Sequence, residues 1–296
     1  MEWSNSKLLA FEQCGERGRR LYIEKDFRPR RTSLIRGTVV HETIRPMIRR
    51  RLEDGARMLG TSVEDLGKAL TLSASDRQVL LTGALPTLEE VRDIAATSFE
   101  QEWHGTEIAF DEDEEAEGHA KVGDRIKDTA IDLASLYRTR VAPTLAPKGV
   151  EYRVTVRPKD SDLVIKGTID LLADEGGDVI ADVKSSEKSP DKHAAEDSQQ
   201  LSLYALIRYA ETEAVPSRLR LDYLVRTPAR HELKHVPLET TRDHEDMAAI
   251  VERLNRATAA VEKGVFLGAD PSVWYCRSCE FRGDCPLVRR SRRPEN

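Results

Sequence analysis

The sequence predicts an α/β protein with a helical front half and an α/β back half. Three observations carry this. Before residue 149 the apolar residues recur at helical spacing, and several runs begin with Ser or Thr placed to cap a helix. From Gly149 the period falls to two, as in "VEYRVTV". "DEGGD" then joins two alternating runs as a hairpin, with glycine where a positive φ is needed.

In chain order, "SNSKLLAFEQC" starts a helix capped by Ser4 or Ser6. "GTVVHETIRPMIRRRL" is a second, in which Pro46 implies a kink or a late start. "TSVEDLGKAL" and "PTLEEVRDIAATSFEQEW" follow, with Ser62/Asp65 and Thr87/Glu90 spaced as capping boxes. The acidic run "DEDEEAE" is expected as a loop, and a long helix spans residues 120–140. Residues 42–145 therefore read as a helical subdomain. Strands are expected in "VEYRVTV", "DLVIKGTIDLLAD" and "DVIADVKSS", then a helix over 194–210. Strands "RLRLDYLV" and "HELKHVPL" and a helix over 241–262 complete the series.

The chain has 296 residues, 33% of them charged and 5% aromatic, which describes a soluble protein with a modest core. No apolar run approaches the roughly 20 residues a membrane span needs. "MEWSNSKLLAFEQC" lacks a secretory pattern, so a cytoplasmic location is expected, where cysteines seldom form structural disulfides. The net charge of −6 argues against indiscriminate nucleic-acid binding. Its distribution is uneven, however: residues 16–51 hold twelve Lys/Arg against four Asp/Glu, and the tail "RRSRRPEN" is also basic. Such a stretch either attracts phosphates locally or forms solvated helix faces.

Chemistry concentrates in "GTIDLLADEGGDVIADVKSSEKS". Asp182 and Lys184 lie two apart on a strand, so both emerge on one face. Asp170 can approach Asp182 across the hairpin, and two close carboxylates repel unless a cation lies between them. Mg²⁺ or Mn²⁺ suits such oxygen ligands, and Lys184 can orient a water and offset charge developing on a phosphate. The bland alternative is a polar edge-strand face. Gln200 and Tyr204, four apart on the next helix, share one face. His41 is a possible nitrogen ligand, and Glu151 a candidate further acid on the first strand.

Cys276, Cys279 and Cys285 are spaced C-x2-C-x5-C, and Cys14 is the only other cysteine. Three clustered thiols and a remote fourth can close a four-thiolate site. Structural zinc more often uses two local pairs, whereas a [4Fe–4S] cluster accepts three-plus-one spacing. Either would staple the N-terminus to the C-terminus. Trp274 and Tyr275 are expected to pack around it.

The order "SKLLAFEQC", "GTVVHE", "GTID", "DVK", "QLSLY" and C-x2-C-x5-C-P resembles the RecB-like branch of the PD-(D/E)XK nuclease superfamily. Within it the chain is most similar to the CRISPR-associated iron–sulfur exonucleases and their phage-encoded relatives. The resemblance implies a restriction-endonuclease-like core, a mixed sheet flanked by helices, with a helical insertion and a C-terminal cluster region. The expected segments are residues 1–41 (N-terminal helix, Cys14, His41), 42–148 (insertion), 149–262 (nuclease core) and 263–296 (cluster region and basic tail). It also implies that His41, Asp170, Asp182 and the Val183 carbonyl bind Mg²⁺ or Mn²⁺, with Lys184 catalytic. Gln200 and Tyr204 would match the family's Q-x3-Y motif, and Cys14, Cys276, Cys279 and Cys285 would hold a [4Fe–4S] cluster. Many relatives carry Glu where Asp182 stands, and its shorter reach bears on metal preference.

The expected activity is exonucleolytic cleavage of single-stranded DNA with 5′-to-3′ polarity, the cluster being structural. Expected partners are DNA and a CRISPR integrase or recombination protein, and no membrane. Two rival readings remain: a non-catalytic assembly factor with a vestigial site, and a zinc-stapled endonuclease.

Overall fold

The structure, a computed structural model, describes residues 1–158, 162–227 and 232–291. Residues 292–296 of the basic tail lie outside the described residues. The chain opens with strand β1 (Glu2–Trp3), helix α1 (Asn5–Gln13) and short helix α2 (Gly15–Arg19), which continues as a π-helical turn, Arg20–Glu24. Strand β2 (Arg30–Arg31) leads into α3 (Thr32–Leu59), followed by α4 (Val63–Lys68), α5 (Ala74–Thr82) and α6 (Leu88–Gly105). Strand β3 (Ile108–Ala109), α7 (Glu112–Glu117) and α8 (His119–Arg140) close the front half. The back half runs β4 (Pro147–Val156), β5 (Val164–Asp174), β6 (Asp178–Ser186), α9 (Gln199–Thr212), β7 (Arg218–Arg226), β8 (Leu233–Thr240) and α10 (His244–Glu262). Two short helices, α11 (Trp274–Arg277) and α12 (Pro286–Ser291), end it.

Local chemistry explains most of these boundaries. Ser4 caps α1 by accepting from the Lys7 N–H at 3.3 Å. Thr87 and Glu90 form the expected capping box of α6. At α4 only Ser62 accepts from the Asp65 N–H; the Asp65 carboxylate turns to the Ser62 hydroxyl instead. Helix α3 runs unbroken through Pro46, where the missing N–H leaves the Glu42 carbonyl without its usual donor. The face it buries, through Ile35, Val39, Met47, Ile48, Leu52 and Ala56, holds it to the core. It also crosses residues 41–42 without a break.

Two expectations need correction. The acidic run is not a loop but α7, because Asp111 and Glu114 make a capping box and four acids fall in its first turn, where the helix dipole favours them. The helix expected from residue 194 begins at Gln199, because Ser198 is its N-cap, in extended conformation with its side chain on the Leu201 N–H.

The main sheet is mixed. β4 and β6 flank β5 antiparallel, β1 adds parallel to the start of β5, β6 pairs β7 parallel, and β8 closes the far edge antiparallel. Gly176, at φ 91°, turns the β5–β6 hairpin. Helices α3, α6 and α8 pack on one face, against Leu171, Ala173, Ala181, Val183 and Leu224. On the other face α1, α9 and α10 pack against Ile165, Ile169, Leu172, Ile180 and Leu219. Helices α3, α6 and α8 of the front half therefore form one layer of an α/β/α sandwich, while α1 joins the other. Burying each large aliphatic side chain contributes about 1.5–3 kcal/mol.

Candidate active site

The β5–β6 ladder runs from the pair Asp174/Asp178 to the pair Leu171/Ala181 and stops there. Beyond it β6 stays with β7 as far as Ser186, while β5 turns its edge to β1 at Val164 and Ile165. Asp170 and Asp182 are the first residues past the fork. The ladder tolerates Asp174 opposite Asp178, which have Arg77 and Lys148 as partners, and opens where Asp170 and Asp182 would meet. In the opening the Val183 N–H donates to Asp170 Oδ2 at 3.1 Å.

Four further side chains converge on the fork. His41, on α3, places Nδ1 3.5 Å from Asp170 Oδ2. Lys184 Nζ lies 2.7 Å from Asp182 Oδ2 and donates to Gln200 Oε1 at 2.8 Å. Gln200 Nε2 donates to the Tyr204 hydroxyl at 2.8 Å, which donates to the Thr168 carbonyl at 2.6 Å. Gly167 lets α9 sit this close, since a Cβ there would stand 2.4 Å from Ile207 Cδ1.

The electrostatics are those of crowded anions. Burial, and then the Asp182 charge, push the Asp170 carboxyl up to about 7. Burial opposes the charge on Lys184, but Asp182 and Asp170 outweigh it and hold the amine above its ordinary range. Burial, followed by the same two carboxylates, raises the Tyr204 phenol, which stays protonated. The contact of Asp182 Oδ2 with Lys184 is an ion pair without hydrogen-bond geometry, so this buried oxygen has no hydrogen-bond partner. Two crowded carboxylates that share one lysine suit a hard cation. Among the described residues, even so, no three His, Cys, Asp or Glu side chains are gathered closely enough to form a metal site as they stand.

Glu151 lies opposite Asp170 in the β4–β5 register, between the pairs Val150/Leu171 and Tyr152/Ile169. Its φ of 49° is left-handed, a strained conformation for a non-glycine residue in a strand. Several neighbours were missed from the sequence. The Thr168 carbonyl anchors Tyr204. Arg36, five residues before His41 on α3, is 6% exposed and pairs with Glu187 just past β6. Its spacing from His41 does not put the two on one helix face, so the sequence carried no signal for it.

The four cysteines also meet. All are half-buried and free of disulfides, and all line one cavity of about 20 Å³ with Arg20 and Arg282. The Ala269 N–H approaches Cys14 Sγ at 3.4 Å, and the Gly15 N–H donates to the Leu267 carbonyl at 2.7 Å. The N-terminal helix is thus joined to the C-terminal segment. Burial, and then the Glu280 charge, hold the Cys279 thiol up at about 11 despite the opposing Phe281 backbone and Arg17. Among the described residues the four thiols are nonetheless not gathered closely enough to hold a metal as they stand.

The PD-(D/E)XK nuclease superfamily matches residues 2–286. The chain belongs to this superfamily. Membership points to a metal-dependent nuclease that hydrolyses phosphodiester bonds, with DNA as substrate and Mg²⁺ or Mn²⁺ as the usual metal. The α/β sandwich and its mixed sheet fit a PD-(D/E)XK core. A solved structure described as the crystal structure of SSO0001 is similar at 16% identity, over 82% of this chain and 95% of that chain, with a TM-score of 0.35. No curated protein matches the sequence. Among the described residues no helix is long and apolar enough to cross a membrane.

Proposed function

We propose that this PD-(D/E)XK protein is an exonuclease that degrades single-stranded DNA from an end with 5′-to-3′ polarity, and that the fork of β5 and β6 is its active site. The observation that carries the site is the pair Asp170/Asp182, two carboxylates held together past the end of their ladder against the single amine of Lys184. His41, Asp170, Asp182 and the Val183 carbonyl would hold Mg²⁺ or Mn²⁺. The metal would supply Lewis acidity toward a phosphoryl oxygen and a more acidic bound water.

The side chains have separable tasks. Lys184 is a cation held between Asp182 and Gln200, so it orients a water and offsets charge on the phosphorane rather than abstracting a proton. Gln200 fixes Lys184, and Tyr204 fixes Gln200 while bonded to the Thr168 carbonyl. Glu151 is a further acid facing the same fork. The complete constellation favours catalysis over the rival assembly factor, since such a factor needs none of these side chains. Association with a CRISPR integrase or recombination protein belongs to the same reading, through the family resemblance alone.

Cys14, Cys276, Cys279 and Cys285 would hold a structural [4Fe–4S] cluster that staples the two ends of the chain. The small cavity favours a second reading, a single zinc ion on the same thiols. Metal analysis of anaerobically purified protein separates them. About four irons and four sulfides per chain support the cluster, and one zinc in colourless, active protein replaces it. For the activity, oligonucleotides labelled at either end are compared with closed single-stranded circles under Mn²⁺ and Mg²⁺. End-dependent loss of linear strands supports the proposal. Efficient cutting of circles makes the enzyme an endonuclease, and no metal-dependent cleavage removes the nuclease reading.

A further inference from the structure

We propose that Phe27 is a stacking platform for a nucleobase of single-stranded DNA, gripping the strand before it reaches the fork. The proposal rests on the nuclease reading above and adds the place where that substrate is held. Phe27 is 76% exposed, so its ring is open to a base.

The loop that displays it is fixed. Lys25 turns the chain in the left-handed region at φ 57°, and the Asp26 N–H donates to the Arg20 carbonyl at 2.9 Å. The Asp26 carboxylate is clasped from both sides, by Arg20 at 2.7 Å and by Arg28 at 2.9 Å. Both arginines reach on to Asp284, each at 2.8 Å. Arg30, just beyond, is tied to Glu102 and Thr38. Such charge-assisted bonds hold backbone geometry. An aromatic ring held out on a fixed loop loses little entropy on stacking, which is what preorganised recognition requires.

Phe27 borders a groove of about 610 Å³ that also contains Arg31, Ser33 and the 57%-exposed Leu34. Arg31 donates to the neutral Ser278 carbonyl, and among the described residues no carboxylate pairs with it. Arg31 and Ser33 are shared with a second groove of about 500 Å³ that contains Arg36. Arg36 is buried with its Nε unpartnered, although its Nη1 bonds Glu187. That second groove also carries Asp111, Asp113, Glu114, Glu117 and Glu187 against Arg31, Arg36 and Arg125, so its charge does not favour a phosphate chain, and the strand is held on the Phe27 side. From Arg36 the same helix continues to His41, and the intervening Gly37 lies against Ser185, next to Lys184. The span from Arg31 to His41 is about 15 Å along the helix.

An exposed ring and an unneutralised arginine thus share one groove. Base stacking combined with backbone contacts is how single strands are bound without sequence preference, and a duplex hides its base faces. The test is equilibrium binding in chelator, with no cleavage, of a single-stranded oligonucleotide of about twelve residues. Phe27→Ala is expected to weaken binding about tenfold and Phe27→Trp to restore it. An abasic oligomer of the same length should bind the wild type and Phe27→Ala alike. Circular dichroism confirms that the variants fold. Unchanged affinity of Phe27→Ala for the ordinary oligonucleotide, or an equal loss on the abasic chain, overturns the proposal. Wild-type cleavage under Mn²⁺ is scored in parallel: binding through Phe27 without cleavage leaves the stacking site standing and removes the nuclease reading.

Discussion

Strand β6 carries two buried aspartates on one face, four residues apart, and their surroundings are opposite. Asp178, at the start of the strand, meets Lys148 and Arg208, both with no exposed side-chain surface. Asp182, near the end, meets a second carboxylate and a single partly exposed lysine. Helix α9 serves both: its row Gln200, Tyr204, Arg208 reaches Lys184 at one end and Asp178 at the other. At the first site Lys148 and Arg208 face Asp178 and Glu211, two cations to two anions, and hydrogen bonds also go to the Ala69 carbonyl, so the cluster is complete within the protein. At the second, two carboxylates crowd against one lysine. A buried charge cluster that balances itself ties elements together, whereas one that does not balance requires a guest.

The largest expected effect tests the unbalanced end. Asp182→Ala or Lys184→Ala should lower metal-dependent cleavage by about a thousandfold or more, several kcal/mol in the transition state. The fold should persist, and the metal-free Asp182→Ala protein should be no less stable, because a buried like charge has gone. Cleavage at the wild-type rate by either variant would sink the site assignment.

The balanced end should behave in reverse. Asp178→Ala leaves Lys148 and Arg208 buried without their shared anion, and breaking such a cluster costs about 3–5 kcal/mol. Urea denaturation should show that loss, while cleavage per folded molecule stays near wild type. A variant as stable as the parent but inactive would abolish the distinction between the two ends of β6.

The contrast was partly legible in sequence. Asp170, Asp182 and Lys184 stood out because charges interrupt apolar strands, and Gln200/Tyr204 because they are four apart. The structure brings these five and His41 together. Asp178 was hidden in the turn signal DEGGD, and Arg208 continued a row that had seemed to end at Tyr204. Lys148 could not be foreseen, since its partner lies two strands away and its side chain is set by a bulge in β4. The fold read well where the period was clean: β6 was placed to the residue. It read poorly where capping decided the outcome, as at α7, and where short helices such as α5 lack the length for a periodic signal.

The smallest effect concerns Asp170 and sharpens the comparison by titration. Its carboxyl is held up at about 7 in the folded protein, against about 4 in an unfolded chain. The folded state therefore binds the extra proton between those values, and stability falls as pH rises through them. In chelator, the wild type should be more stable at pH 5 than at pH 8 through this group. Asp170→Asn, which can still accept from the Val183 N–H, should lack that component and exceed the wild type at pH 8 by on the order of 1 kcal/mol, a few degrees in Tm. Adding Mn²⁺ at pH 8 should reverse the order, because a cation that binds only the folded wild type stabilises it by mass action. The same cation competes with the proton, so half-saturation should need more metal as pH drops below 7. Asp178→Asn should show no reversal with Mn²⁺, since its anion is already matched by Lys148 and Arg208. Thermal melts across pH, with and without Mn²⁺, read all of this. Parallel curves for wild type and Asp170→Asn would mean that the two carboxylates at the fork do not repel, and that the fork is as self-sufficient as the cluster at Asp178.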